Sequence, residues 1–263
     1  MMELLQKHAS ALPGIWAMDT ARYLVAAGSL ALLLRMLAPT VLKHRKIQAR
    51  DASASDLRRE ILSSLRSALI FSLLGFGLYI AAREGGVTIY NGFAEAGPVY
   101  LVLSLCLMIV AHDAYFYWTH RLMHHRRLFA LFHRWHHLSR TPTVWTAYSF
   151  SVPEAIVQGA FVPLFAALVP MHALSLFIFV AAQIVRNVMG HAGYELHPAA
   201  FTPGRWLGWN NTSTGHDLHH ELGRCNYCLY FRWWDKLMGT EHPSYPEKFR
   251  AIVAGKVAAE LRP

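Results

Sequence analysis

Charged residues are scarce in this sequence. Asp, Glu, Lys and Arg make up 16% of the 263 residues, whereas 54% are hydrophobic, a balance too apolar for an ordinary soluble domain. We therefore expect a membrane protein. The net charge of +9 comes from basic residues that are spread along the chain and flank hydrophobic runs, as topology determinants do. Because these residues form no basic tail, we expect no nucleic acid partner.

Cysteine is scarce as well, and three residues are too few for a disulfide framework. Cys225 and Cys228 have Cys-x-x-Cys spacing, but no second pair accompanies them. The chain has no His-Glu-x-x-His motif, which disfavours a zinc protease, and no flavin motif, fused haem domain or iron–sulfur cysteine set. Residues 1–19 carry charges of both signs, which is typical of an interfacial helix rather than of a cleavable signal peptide.

Hydrophobic runs fill much of the remaining chain and predict an all-α fold, an integral membrane helix bundle with about three spans and a short membrane helical hairpin. A helix needs about 20 apolar residues to cross a membrane, and each arm of the hairpin is short for a full crossing. The predicted spans are 23–42, 67–82 and a segment that begins near residue 99, and the hairpin arms are 155–169 and 172–189.

The loops between these segments differ in charge, which predicts their orientation. Residues 43–66 contain seven Lys or Arg residues, whereas residues 84–97 contain none. By the positive-inside rule, the first loop is cytoplasmic and the second lies outside. The third span therefore ends on the cytoplasmic side.

Histidine is abundant where that span ends, since seven of the sixteen histidines lie within residues 112–137. Neutral imidazole is a ligand for iron, zinc, copper and nickel, and helical spacing can bring several imidazoles to one face. His120 and His124 stand at i and i+4 on the continuation of the span. Two triplets have i, i+3, i+4 spacing, and each is expected to present three rings on one helical face. They are His133, His136 and His137, and His216, His219 and His220.

These eight imidazoles, with His191 as a ninth where the second hairpin arm meets the same interface, exceed what one ion takes. Two ions are the natural count, in an open site rather than the closed four-ligand site of structural zinc. His112 and His197 stay open as additional ligands, although His112 lies off the face shared by His120 and His124.

Neutral ligands leave the charge of such ions uncompensated. Asp113, Asp217 and Glu195 stand near the predicted ligands and could accept the other ring N–H of a ligand histidine; alternatively, they pair with nearby arginines. Asp113 and Tyr117 also share the helical face of His120. We therefore treat Asp113, Tyr117 and Asp217 as candidate catalytic residues that act beside the metal ligands.

The histidine elements carry a resemblance to a known family. They read His120-Arg-Leu-Met-His124, His133-Arg-Trp-His136-His137, Gly190-His191-Ala-Gly-Tyr194 and His216-Asp-Leu-His219-His220. Over residues 111–240 the chain resembles the fatty acid hydroxylase and sterol desaturase superfamily of membrane-bound, non-haem diiron oxygenases. It departs from the family pattern at Cys228, where glycine is expected, and at Ser151-Val-Pro-Glu154, where His-Pro-x-Glu is common. The second departure bears on the substrate entrance.

The resemblance implies that the nine histidines bind two iron ions in a histidine-rich cytoplasmic cap, with O2 as co-substrate. It implies an oxidoreductase that hydroxylates or desaturates a sterol, a fatty acyl chain or another lipid. The electrons would come from an external donor, such as a cytochrome b5-like protein, a ferredoxin or a reductase. The alternatives are a dimetal membrane hydrolase that acts on lipid head groups and a non-enzymatic membrane metal-binding protein.

The same resemblance divides the chain into an N-terminal membrane region (1–98), a catalytic domain (99–243) and a C-terminal tail (244–263). We expect an integral protein of a bacterial inner membrane with its active site on the cytoplasmic side. The arginines at positions 126, 127, 134 and 140 fit either the docking of an acidic electron donor or simple positive-inside topology.

Overall fold

A computed structural model describes residues 2–255, and the fold is almost entirely helical. Two short strands, β1 (Ile89–Tyr90) and β2 (Met171–His172), pair in parallel with Ile89 opposite Met171. Short 3-10 helices are formed by Ala9–Ala11, His136–Leu138, Val144–Tyr148 and Ala199–Phe201. The α-helices are α1 (Met2–His8), α2 (Leu12–Leu37), α3 (Ala54–Arg83), α4 (Phe93–Met123), α5 (Phe129–Phe132), α6 (Val152–Leu168), α7 (Ala173–Gly190), α8 (Ser213–Leu222), α9 (Trp233–Leu237) and α10 (Tyr245–Val253).

Within residues 2–255, four helical stretches are long and apolar enough to cross a membrane: Met2–Leu37, Ala54–Arg83, Glu95–Met123 and Ala173–Gly190. The predicted all-α membrane bundle is thus confirmed. Helix α7, the second arm of the predicted hairpin, has 18 residues and a length of ~27 Å at 1.5 Å per residue. That length approaches the thickness of the hydrocarbon core, so α7 counts as a fourth candidate span, while α6 is a shorter apolar helix.

The first span begins earlier than the sequence pattern indicates. Helix α2 runs from Leu12 to Leu37, so it includes part of the segment that was expected to lie at the interface. Asp19 and Arg22 account for the difference. They form an ion pair, with side chains 13% and 23% exposed, and the pairing lets a helix with charges of both signs continue through the bundle.

Polar caps set the starts of the later helices. Ser53 Oγ accepts the N–H of Asp56 at 3.1 Å and the carboxylate of Asp56 accepts the N–H of Ser53, a capping box that begins α3. Ser151 caps α6 and Thr212 caps α8 through their hydroxyl oxygens. The cap at Thr212 fixes the start of α8, the helix that carries His216, His219 and His220.

The 3-10 helix Val144–Tyr148 packs against α2, α3 and α7. Tyr23 Oη donates to the Trp145 carbonyl oxygen at 3.0 Å, and Asn187 Nδ2 donates to the Ala147 carbonyl oxygen at 2.7 Å. Buried carbonyl groups need such partners. These bonds therefore hold the segment that follows His137 against the helix bundle.

Candidate metal centre

Nine histidines form two adjoining groups, and they are the nine predicted ligands. Within each group, one ring nitrogen of every member lies within 4.8 Å of the corresponding atom of all the others. The first group contains His120, His124, His133, His137 and His219, and the second contains His136, His191, His216 and His220.

The triplet at residues 133–137 is divided between the two groups, so the expectation of three rings on one helical face is wrong. These residues do not form a regular α-helix, because His133 caps α5 and His136 and His137 lie in the following 3-10 helix. His133 and His137 belong to the first group and His136 belongs to the second. The ring centroids of His133 and His136 are 5.1 Å apart, which places the two groups side by side.

Helix α8 divides the other triplet by its regular geometry. His216 and His220 are four residues apart and lie on one face, whereas His219 is rotated by ~100° from His220. His216 and His220 therefore join the second group and His219 joins the first. One short helix thus supplies both groups.

Hydrogen bonds at Nδ1 fix the tautomer of most of these rings. A backbone carbonyl oxygen only accepts, so an Nδ1 that contacts one carries the hydrogen and leaves a lone pair on Nε2. The Nδ1 to oxygen distances are 2.8 Å for His120 to Tyr227, 3.4 Å for His136 to Ser149, 2.8 Å for His191 to Asn187, 2.6 Å for His219 to Cys225 and 2.9 Å for His220 to Ser139.

Burial keeps the rings uncharged. Removal from water lowers the pKa of His191 and of His219 to about 4. Burial, reinforced by neighbouring histidines, also holds the pKa of five further members well below the usual range. Neutral imidazole is the form that binds a metal ion. The histidines with a pKa well below the usual range are His133, His136, His137, His216 and His220.

The positions of the ring nitrogens that carry no hydrogen fit the binding of metal ions. His136 Nε2 and His191 Nε2 lie 3.3 Å apart, yet both rings donate from Nδ1 to backbone carbonyl oxygens, His136 to that of Ser149 and His191 to that of Asn187. Two lone pairs at that distance repel each other unless a cation lies between the rings. His220 Nε2 is buried and has no hydrogen-bond partner within residues 2–255. The donor set is all imidazole nitrogen, which suits iron as well as zinc, copper and nickel.

Glu154 is a site residue that the predicted set lacks. Its side chain is fully buried, and Oε1 lies 2.5 Å from Nδ1 of His133. A carboxylate in this position orients a ligand histidine and raises its basicity. Glu154 stands at the start of the apolar helix α6, and residues 141–185 contain no Lys or Arg. A lone acid in such a stretch is the sequence signal that could have identified it.

Two of the carboxylates expected beside ligand rings contact other groups in the described chain. Asp113 Oδ1 accepts the backbone N–H of Tyr230 at 3.1 Å and of Phe231 at 3.2 Å. Asp217 Oδ1 accepts from Gln48 Nε2 at 2.9 Å. Asp113 lies on the predicted face of α4. It is nevertheless too far from the ligand rings, because seven residues, or ~10 Å along the helix axis, separate it from His120.

Tyr117 and Glu195 also contact other groups than the nine histidines. The hydroxyl of Tyr117 lies 3.0 Å from Thr240 Oγ1. Glu195 accepts from Nδ1 of His197 and from the N–H of Thr214, both at 2.8 Å. Glu195 therefore ties the start of α8 to the chain after α7, which holds the histidines of α8 in place without contact to their rings.

His112 and His197, the two possible additional ligands, belong to neither histidine group. His112 Nδ1 lies 2.8 Å from Tyr230 Oη, and its ring packs on Phe161 at 4.6 Å between centroids. His197 lies between Glu195 and Arg186, with Nε2 2.8 Å from Arg186 Nη1. His112 instead lines the cavity beside the histidines.

This cavity has a volume of about 210 Å³ and lies between α2, α3, α4, α6 and α7. Phe116 and Phe150 line it. The ring centroid of Phe116 is 5.0 Å from that of His120, and the centroid of Phe150 is 5.2 Å from that of His136. The cavity therefore adjoins both histidine groups.

These features define a class of protein, a membrane helix bundle with two adjoining histidine groups that could each hold a metal ion, beside a cavity. The chain belongs to the fatty acid hydroxylase family, whose model matches residues 105–240, or 136 of the 263 residues. All nine histidines fall within that range.

The chain is also similar to enzymes named for sterol oxidation. It is 32% identical over 195 residues to a Delta(7)-sterol 5(6)-desaturase of Gibberella zeae, with 73% of this chain and 58% of that protein covered. It is 26% identical over 211 residues to lathosterol oxidase of Rattus norvegicus (78% and 66% covered) and 28% identical over 156 residues to methylsterol monooxygenase 1 of the same species (58% and 52% covered). The chain thus spans about half to two thirds of these curated relatives. No solved structure matches it.

Proposed function

We propose that this protein uses O2 to oxidise a C–H bond of a sterol or a related neutral lipid at two iron ions held by the nine histidines. One observation carries the proposal: the ring nitrogens of nine histidines converge in two groups that adjoin an internal cavity. The names of the relatives include a desaturase, an oxidase and a monooxygenase. They support both outcomes, desaturation and hydroxylation, and none of the three is a hydrolase.

The protein's part in this chemistry is to hold and orient the ligands. When bound, two iron ions supply the redox chemistry that reduces O2 and breaks an unactivated C–H bond. Six of the nine rings are oriented beforehand from their far side, five by backbone carbonyl oxygens and His133 by the carboxylate of Glu154. Such bonds keep the lone pairs of Nε2 directed at the metal positions.

The cavity positions the substrate beside the histidines. Phe116 and Phe150 lie between the cavity and the histidines, so a substrate carbon there is brought close to the metal ligands in an apolar setting. Whether one or two hydrogens leave depends on which C–H bonds are held nearest. Hydroxylation converts substrate, O2, two electrons and two protons into an alcohol and one water, and desaturation converts the same reactants into an alkene and two waters.

In this proposal the two electrons come from a separate donor protein. Arg126, Arg127, Arg134 and Arg140 are exposed around the first and second histidine elements. Their positive charge would attract an acidic donor to this surface and accelerate its encounter. The same charge supports placement of the site on the cytoplasmic side of the membrane.

A direct test uses purified protein reconstituted with iron in detergent or nanodiscs. A small-molecule reductant, ¹⁸O2 and a panel of sterols, including lathosterol, are added, and products are identified by mass spectrometry. We expect an O2-dependent alkene, or an alcohol that carries ¹⁸O, and neither product from a His191→Ala, His220→Ala double variant. Zinc as the native metal, with no O2 consumption by the reduced, iron-loaded protein, would contradict the proposal.

A further inference from the structure

Helix α2 carries an acid and a base near the middle of the first candidate span, Met2–Leu37. Asp19 and Arg22 form an ion pair, and Asp19 Oδ2 also accepts from Ser72 Oγ on α3 at 2.9 Å. Ionisable groups in a membrane segment are costly to insert, and they commonly mark binding sites or transport pathways. If Asp19 and Arg22 served only to connect α2 with α3 through Ser72, their side chains would not need to contact a cavity. Here both side chains line the cavity beside the histidines.

Arg22 has hydrogen-bonding capacity to offer that cavity. A guanidinium group has five N–H donors, and within residues 2–255 its ion-pair partner is Asp19 alone. The pair therefore presents to the cavity a donor and, beside it, a carboxylate acceptor.

A second polar couple lines the same cavity. Tyr148 Oη donates to Gln183 Oε1 at 3.1 Å, which leaves the amide N–H groups of Gln183 available. The ring of Tyr148 stacks on Tyr23, the chain neighbour of Arg22, at 5.7 Å between centroids. Gln183 precedes His191 by eight residues along α7 and its continuation, or ~12 Å along the axis. Gln183 thus lines the cavity ~12 Å along the helix axis from His191, which belongs to the histidine groups that the cavity adjoins.

We propose that Asp19 and Arg22, assisted by Gln183, bind the hydroxyl group of a neutral lipid alcohol while its apolar body fills the rest of the cavity. This inference rests on the proposed function and specifies its substrate class. A hydroxyl can donate to Asp19 and accept from Arg22 at once. Phe71, Phe161 and Phe179 supply apolar surface for the body of the molecule.

The charge balance of the site selects the alcohol over charged lipids. Asp19 and Arg22 together carry no net charge, so a carboxylate or sulfate group would face the charge of Asp19 and an ammonium group would face that of Arg22. An unbalanced charge is costly in a membrane interior. A ketone engages only the donor and a hydrocarbon engages neither. Asp19 and Arg22 also lie outside residues 105–240, so this specificity comes from a helix that the family match does not include.

The test is equilibrium binding to the metal-free protein in nanodiscs. Radiolabelled lathosterol is displaced by its ketone, by its sulfate ester and by the hydrocarbon that lacks the oxygen; oleyl alcohol and oleate form a second series without a sterol nucleus. Because this binding needs no iron, electron donor or turnover, its outcome is separate from that of the oxidation assay. Two hydrogen bonds to charged groups predict that the alcohol binds roughly tenfold or more tightly than its analogues. The absence of an alcohol preference in both series would overturn the inference.

Variants test whether Asp19, Arg22 and Gln183 cause the preference for the alcohol. An Asp19→Asn, Arg22→Gln double variant is expected to bind alcohol and ketone within about twofold of each other, because it lacks both charges. Lys7→Gln is the control, since it removes an ion pair with Glu84 (2.7 Å) outside the cavity and should keep the full preference. If the double variant fails to fold, Gln183→Leu decides, with an expected loss of roughly threefold in the preference for the alcohol. An undiminished preference in the folded variant that is tested would refute the assignment.

Discussion

The carboxylate of Glu154 offers a sharp test of how the metal ligands are held. Glu154 Oε1 lies 2.5 Å from His133 Nδ1, and the two side chains are 0% and 2% exposed. Loss of such a contact behind a ligand typically lowers metal affinity by about 10- to 100-fold, or about 1.4 to 2.8 kcal/mol. Glu154→Ala should fall near the upper end of this range, because it leaves the N–H of His133 buried without an acceptor.

Glu154→Gln should lose less, about tenfold, since the amide oxygen still accepts from His133 but carries no charge. Iron(II) affinity is measured anaerobically by competition with a coloured chelator, and thermal unfolding of the metal-free proteins checks that the variants fold. Asp217→Asn is the matched control. Asp217 is a buried carboxylate next to His216, but its partner is Gln48, so the variant should bind iron within about threefold of the parent protein. The reasoning is refuted if both folded Glu154 variants bind iron like the parent protein.

Three further predictions concern the ligands, the coupling of metal to folding, and the donor surface. His220→Ala should lower the iron content from two ions toward one per chain, whereas His112→Ala should retain two, as measured by elemental analysis; equal loss in both would show that His112 is a ligand. Iron should raise the unfolding temperature in a concentration-dependent way, and a chelator should reverse the shift in a thermal scan; an unchanged midpoint would contradict a site that is built only in the folded chain. Replacement of Arg126, Arg127 and Arg134 by Gln should slow reduction by an acidic donor protein at low salt but not reduction by dithionite; equal slowing with both reductants would point to damage at the metal site.

The spacing of histidines indicated eight of the nine histidines that the structure brings together, but not how they divide between the two groups. The i, i+3, i+4 pattern indicates one helical face only if the segment is a regular α-helix. Residues 133–137 instead pass from the end of α5 into a 3-10 helix, a change that depends on tertiary packing. In α8 the helix is regular, and the division follows from the rotation of ~100° between His219 and His220.

The groups behind the ligands were harder to predict, because most of them come from distant parts of the chain. His120 donates to the backbone of Tyr227, and a backbone carbonyl leaves no mark in the amino-acid sequence. Proximity along the chain favoured Asp217, but its side chain points to Gln48. Glu154 reaches His133 across 21 positions. The charges of residues 1–19 indicated an interfacial helix, but α2 begins at Leu12. Asp19 pairs with Arg22 on the same helix, and this pairing makes the charged stretch compatible with a membrane span.

The most direct test of the two-metal site is elemental analysis of the iron-reconstituted protein combined with X-ray absorption at the iron edge. The nine converging histidines predict two iron ions per chain, each with nitrogen and oxygen neighbours and the scattering pattern of imidazole rings. A single ion per chain, or sulfur in the coordination sphere from Cys225 or Cys228, would contradict an all-histidine site for two metal ions.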